Sequence, residues 1–145
     1  MIMKQANRQR HTAGFTLIEV MVVVVILGIL ASVVVVRVID KPDEARITKA
    51  RQDILALEGA LGFYKLDNHV YPSTDEGLDA LVSKPASVRN WKQGGYVARL
   101  PKAPWNTPYQ YLNPGVHGAI DIYSLGADKQ PGGEGINADI GNWDL

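Results

Sequence analysis

Few side chains in this 145-residue sequence are equipped for chemistry, and they are unevenly placed. His11, His69 and His117 stand far apart, none in an H-E-x-x-H setting, and no G-x-S-x-G turn is present, so metal hydrolysis and Ser-His-Asp catalysis have no framework. Gly132-Gly133-Glu134-Gly135 is rich in glycine but lacks the Lys-Ser/Thr that follows a phosphate loop, and its acid would repel a nucleotide. The absence of cysteine removes disulfides, thiolate nucleophiles, iron–sulfur clusters and Cys-based zinc together. What remains is carboxylate chemistry. From Asp121 to Leu145 five acids (Asp121, Asp128, Glu134, Asp139, Asp144) face one base, Lys129, across a backbone loosened by Gly126, Gly132, Gly133 and Gly135. An ordered loop of this kind needs something to offset its entropy and self-repulsion. A hard cation would do both, calcium tolerating more geometries than magnesium, although the EF-hand order is missing. A simple solvated acidic loop is the other reading.

A second carboxylate is conspicuous for its surroundings. Glu19 stands within an apolar stretch, with no charged side chain from Val20 to Val36. An unpaired carboxylate costs about 3 kcal/mol at the centre of a bilayer and less near its surface. It either has a partner or stays close to the headgroups.

These residues require elements to hold them. Lys4, Arg8 and Arg10 precede the apolar run with no acid among them, and Phe15 to Val36 as a helix reaches roughly 33 Å, enough for a hydrocarbon core. A secretory signal is the rival, yet its apolar region is shorter and the nearest small pair, Ala31-Ser32, is followed by four valines. Basic residues flank the run on both sides, so charge leaves the orientation open. Gly28 and Ser32 form a small-xxx-small pair suited to close helix packing. Fifteen bases balance fifteen acids, and a neutral chain has no field to draw nucleic acid.

After Asp40-Lys41-Pro42-Asp43-Glu44, which reads as a helix interruption and restart, Ile47, Ala50, Ile54, Leu57, Leu61 and Tyr64 recur at helical spacing and predict one stripe covering a sheet. A coiled-coil seam is the alternative, over fewer than three heptads. Asp75–Ser83 reads as a short helix, opened by a capping box of Ser73 with Glu76. Gly95–Leu100, Tyr109–Leu112 and Ile120–Leu125 read as short strands of an antiparallel sheet. Trp91, Trp105, Tyr109, Tyr111 and Trp143, interleaved with prolines, read as aromatics that pin loops to the core rather than as a ligand cage.

Gly14-Phe15-Thr16-Leu17-Ile18-Glu19, after a basic leader and before a long apolar segment, resembles the type IV pilin and pseudopilin class. The rest of the chain is similar to the major pseudopilins of the type II secretion system, through Tyr64-Lys65-Leu66-Asp67-Asn68, Tyr71-Pro72-Ser73-Thr74, Pro104-Trp105, Pro108-Tyr109-Gln110-Tyr111, Asp121-Ile122-Tyr123-Ser124-Leu125-Gly126-Ala127-Asp128 and Ala138-Asp139-Ile140-Gly141-Asn142-Trp143. The resemblance implies an α+β, type IV pilin-like fold: a long N-terminal helix, half transmembrane and half amphipathic, on a small antiparallel sheet with a C-terminal metal-binding loop. It implies a leader over 1–14 cut by a prepilin peptidase between Gly14 and Phe15, N-methylation of Phe15, a transmembrane assembly helix over 15–39 and a periplasmic domain over 40–145.

It further implies that Glu19 pairs with the N-terminal amine of Phe15 on a neighbouring copy. The chain would then be a structural subunit of a helical filament, anchored in inner-membrane lipid, working with minor pseudopilins and an inner-membrane assembly platform to export folded proteins. The resemblance also implies calcium, held by Asp128 and Asp139 side chains and the Leu125 carbonyl, with Asn137 as a further ligand. A type IV pilus subunit or a minor pseudopilin is the nearest alternative, and a membrane-anchored periplasmic enzyme a remote one. Two positions depart from the family pattern: Val36 stands where a proline is usual, and Ala103 where an Asp commonly precedes Pro-Trp.

Overall fold

The computed structural model describes residues 14–39 and 41–145, and the side chains of residues 14–32 and 42–145. The leader expected over 1–14 lies outside the described residues except for Gly14. Two units divide the chain, one ending at Asp40 and the other starting at Lys41.

The first unit contains helix α1, Leu17–Ile39. Its start is set by Thr16, whose side-chain oxygen accepts the Glu19 N–H at 3.3 Å and so satisfies one of the free donors of the first turn. The Ser32 hydroxyl turns back to donate to the Ile29 carbonyl at 2.7 Å. From Phe15 to Leu30 every large apolar side chain is at least half exposed. Among the described residues no helix is long and apolar enough to cross a membrane; the expected span runs on through Val33–Val36, whose side chains lie outside the description.

The second unit is built on α2, Lys41–Asn68. Pro42 falls in its first turn, where the missing N–H costs nothing. The predicted stripe is the buried one: Ala50, Ile54, Leu57, Leu61 and Tyr64 are buried, with Ile47 packed at the margin. Removing a Leu or Ile side chain of this kind from water stabilises the fold by about 1.5–3 kcal/mol. The stripe packs on a three-stranded antiparallel sheet of β1 (Gln110–Leu112), β2 (Asp121–Ser124) and β3 (Ile140–Gly141), in the order β1-β2-β3. Tyr111 lies opposite Ile122, and Ser124 opposite Ile140. Helices on one face of a small antiparallel sheet make the class α+β.

Two of the expected strands are present, each a little shorter than the reading from sequence. Gly95–Leu100 is not a strand. Gly94 and Gly95 take positive φ, and the N–H groups of Tyr96 and Val97 both donate to the carbonyl of Leu81 rather than to a ladder. The third strand comes instead from Ile140–Gly141, too short to announce itself by alternation. The helix expected at Asp75–Ser83 is a single 3₁₀ segment, Gly77–Leu81. Its capping box is reciprocal: the Ser73 N–H donates to Glu76 Oε2 at 2.9 Å, and the Glu76 N–H to Ser73 Oγ at 3.2 Å.

The aromatics tie loops down. Tyr111 donates its hydroxyl to the Pro72 carbonyl at 2.8 Å, Tyr109 to Asp53 at 2.8 Å, and the Trp91 indole to the Ala80 carbonyl at 2.8 Å. Burial, reinforced for Tyr109 by the Asp53 carboxylate, pushes both tyrosine hydroxyls well above their ordinary range, so they remain donors. At Ala103 the backbone closes a tight loop with Thr107 and Asn106, while the buried Trp105 Nε1 and Thr107 Oγ1 have no partner among the described residues.

Candidate functional site

Two regions carry the candidate residues. At the N-terminal end, Gly14 and Phe15 are exposed and precede α1, and Glu19 sits in its first turn. Thr16 was not singled out by the sequence reading, although Thr three residues before Glu is a recognised helix-start pattern. With Thr16 fixing the helix start, the Glu19 carboxylate stands exposed, near a helix end that favours negative charge. A carboxylate so placed can accept an ammonium group from another molecule.

At the other end, the chain leaves β2 at Leu125 and makes a closed loop before β3. Gly126 has φ of 68°, and a side chain there would come within 2.8 Å of the Asn137 carbonyl, so glycine is required. The loop is stitched internally. The Ala127 N–H donates to the Ile136 carbonyl at 3.0 Å, and the N–H groups of Asn137 and Ala138 donate to Glu134 and Gly135 at 3.1 and 3.3 Å. Asp128 Oδ1 accepts the Gln130 N–H at 3.0 Å, and Asp139 Oδ2 accepts the Gly132 N–H at 2.9 Å.

The other oxygen of Asp139 differs from the rest. Oδ1 is buried and has no hydrogen-bond partner among the described residues. Leaving such an acceptor unmatched costs about 1–3 kcal/mol, and more when it is charged. Leu125 and Asp139 line one cavity of about 390 Å³ with Pro131 and Trp143, whereas Asp128 and Asn137 do not border it. No group of three or more His, Cys, Asp or Glu side chains suited to a metal comes together among the described residues. Any cation held here would therefore draw on backbone carbonyls as well as carboxylates, a donor set that suits a hard ion such as calcium.

Beside the loop lies a clamp not foreseen from sequence. Asp121 is only 2% exposed, and its carboxylate accepts the Val116 N–H at 2.8 Å, the His117 N–H at 3.2 Å and His117 Nδ1 at 3.0 Å. Burial opposes its charge, but the hydrogen bonds from His117 and the Val116 and His117 backbone outweigh it and hold the carboxyl below its usual range. The His117 ring stacks on Trp143 at 3.9 Å. Asp121 is thus committed to the fold rather than to a ligand.

Comparison with known proteins identifies the family. Residues 37–143 match the model of the family described as type II secretion system (T2SS), protein G, and residues 9–35 match the prokaryotic N-terminal methylation motif. The type II secretion system core protein G of Vibrio cholerae is 59% identical over 141 residues, covering 96% of this chain and 97% of the relative. That of Pseudomonas aeruginosa is 56% identical, covering 94% and 99%. Among solved structures, the major pseudopilin from the type 2 secretion system of enterohaemorrhagic Escherichia coli aligns with a TM-score of 0.65 at 48% identity, covering 74% of this chain and 94% of that one. By family match, identity and fold together, the chain belongs to the protein G family of the type II secretion system.

Proposed function

We infer that this chain is the major structural subunit of a type II secretion pseudopilus, polymerising to support export of folded proteins across the outer membrane. The single observation that carries the reading is the match of nearly the whole chain to protein G relatives, together with a methylation motif that spans Gly14 and Phe15. The role is structural: the family is one of filament subunits rather than enzymes. In this reading the segment 15–39 holds the protomer in inner-membrane lipid, with residues 40–145 in the periplasm. A prepilin peptidase removes residues 1–14 and the amine of Phe15 is methylated. Minor pseudopilins and an inner-membrane assembly platform are the partners in growth.

Glu19 then acts between copies. A freed amine on Phe15 and the exposed Glu19 carboxylate of a neighbour attract strongly where water is scarce, and a match of one to the other sets the register of adjacent helices. The carboxylates of Asp128 and Asp139 and the carbonyl of Leu125 would hold calcium, with Asn137 adding an oxygen. The unmatched Oδ1 of Asp139 supports this assignment. Bound there, the ion would neutralise the acidic loop and fasten it.

Mass measurement on the membrane-extracted protein tests the reading. A mature chain beginning at Phe15 and carrying one added methyl group is expected. Retention of residues 1–14 in cells that hold the peptidase would remove its basis. Glu19→Ala is expected to leave the periplasmic domain folded and to abolish fibres in electron micrographs, and a normal fibre yield would refute the pairing.

A further inference from the structure

Strand β3 is two residues long, too short to set its own direction, and it is flanked by Asp139 on one side and by the Asn142–Asp144 turn on the other. Whatever fixes that turn therefore helps to fix where Asp139 stands. Asn142 supplies one anchor by accepting the Ile122 N–H. Trp143 supplies another. Its indole folds back over the strand so closely that a side chain on Gly141 would overlap the six-membered ring, and only glycine leaves it room.

The indole is held by aromatic neighbours as well. His117 stacks on it with ring centres 3.9 Å apart and planes 22° apart, and Tyr123 approaches at 5.8 Å. His117 is itself fixed, because the buried Asp121 carboxylate accepts its N–H and meets its Nδ1 at 3.0 Å. All three rings line the cavity of about 390 Å³ that Leu125 and Asp139 also border, whereas Trp91 and Trp105 do not reach it. There Asp139 Oδ2 is tied to the Gly132 N–H, and Oδ1 is buried with no hydrogen-bond partner among the described residues. Rings around a carboxylate displace water, and its attraction for a cation grows as the local dielectric falls.

We propose that Trp143 is the positioning residue of the candidate cation loop: seated on Gly141 and stacked on His117, it donates no ligand but holds the Asp139 carboxylate in place and screens its buried oxygen from solvent. The proposal rests on the calcium reading above and adds what lets so few carboxylates suffice. No group of three acidic or histidine side chains converges among the described residues, so affinity has to come from preorganisation rather than from the number of charges. Groups that orient a ligand and control solvent access around it govern metal affinity without touching the ion. The Asp121–His117 clamp acts on the same site at one remove, since it sets the ring on which the indole lies.

Calorimetric titration of the full-length chain with calcium in detergent micelles, compared with Trp143→Ala and Trp143→Phe, tests the assignment. Alanine is expected to weaken calcium binding about 10–100-fold. Phenylalanine can still stack on His117 and should recover most of that loss. A residue that only stabilised the domain would lower the melting temperature in chelator and leave the calcium affinity of the folded chain unchanged. Equal affinity in the parent and Trp143→Ala overturns the proposal and leaves the calcium reading standing, and so does a loss in Trp143→Phe as large as that in Trp143→Ala. Absence of calcium binding by the parent chain overturns both. Indole emission gives a second measure that does not depend on the alanine variant folding. Calcium should change the fluorescence of the parent, of Trp91→Phe and of Trp105→Phe, and leave that of Trp143→Phe unchanged. A response that persists in Trp143→Phe, or none in the calcium-bound parent, would count against Trp143.

Discussion

Chelation of calcium should loosen the second unit by an amount that follows from one oxygen. With no ion bound, Asp139 Oδ1 is a buried acceptor with no hydrogen-bond partner among the described residues, a defect costing about 1–3 kcal/mol or more. A cation that binds the folded loop and not the unfolded chain stabilises by about 2.7 kcal/mol when present at a hundred times its dissociation constant. In a domain the size of Lys41–Leu145, each kcal/mol moves the midpoint by about 4–8 °C, so saturating calcium should raise it by roughly 10–20 °C. The assay is thermal unfolding of the processed protein in calcium, in magnesium and in chelator, followed by circular dichroism. Magnesium should recover only a fraction, since the loop supplies adaptable carbonyls rather than a strict octahedron. Asp139→Ala should melt at one temperature in all three. Equal midpoints for the parent chain in calcium and chelator would refute the reasoning, because the unmatched oxygen would then have some other remedy.

Acid should release the Val116 turn. The folded-state pKa of Asp121 is depressed, so its contribution is present above the ordinary carboxylate value near 3.9 and is lost as pH falls through the lower folded value. Melting curves from pH 7 to 2 should show Asp121→Asn less stable by about 2–3 kcal/mol at neutral pH, the gap narrowing in acid; a gap independent of pH would argue against the clamp. Leu57→Ala, at the centre of the buried stripe, should cost about 2–5 kcal/mol in urea unfolding. A loss under 1 kcal/mol would mean that the stripe is not the core.

Much of this was legible from residues alone, for reasons that differ by region. The stripe Ile47–Tyr64 was readable because helical periodicity over five turns admits one buried face. The capping box at Ser73 and Glu76 was readable because its chemistry is local. The sheet was harder. β3 has two residues and is a strand only because Ser124 and Tyr123 lie opposite it, a partnership across a long loop. Gly95–Leu100 looked like a strand by composition, but its donors found the Leu81 carbonyl first. At the candidate metal loop the acids and glycines were visible, while the lone oxygen of Asp139 and the commitment of Asp121 to Val116 and His117 depend on burial that sequence does not encode locally.

One amide side chain makes three elements inseparable. Asn142 accepts the Ile122 N–H at 3.0 Å and donates to both the Ile120 carbonyl and Glu58 of α2, each at 3.2 Å. Strand, turn and helix are thereby tied through a single side chain whose partner on α2 is 84 positions away. The edge of the sheet therefore has no private way to fray: peeling β3 strands a carboxylate, a carbonyl and an amide hydrogen at once, and opening there merges with loss of the whole domain. A subunit that must be pushed along a growing thread gains from this coupling, because load on the β3 edge is shared with the helix behind it.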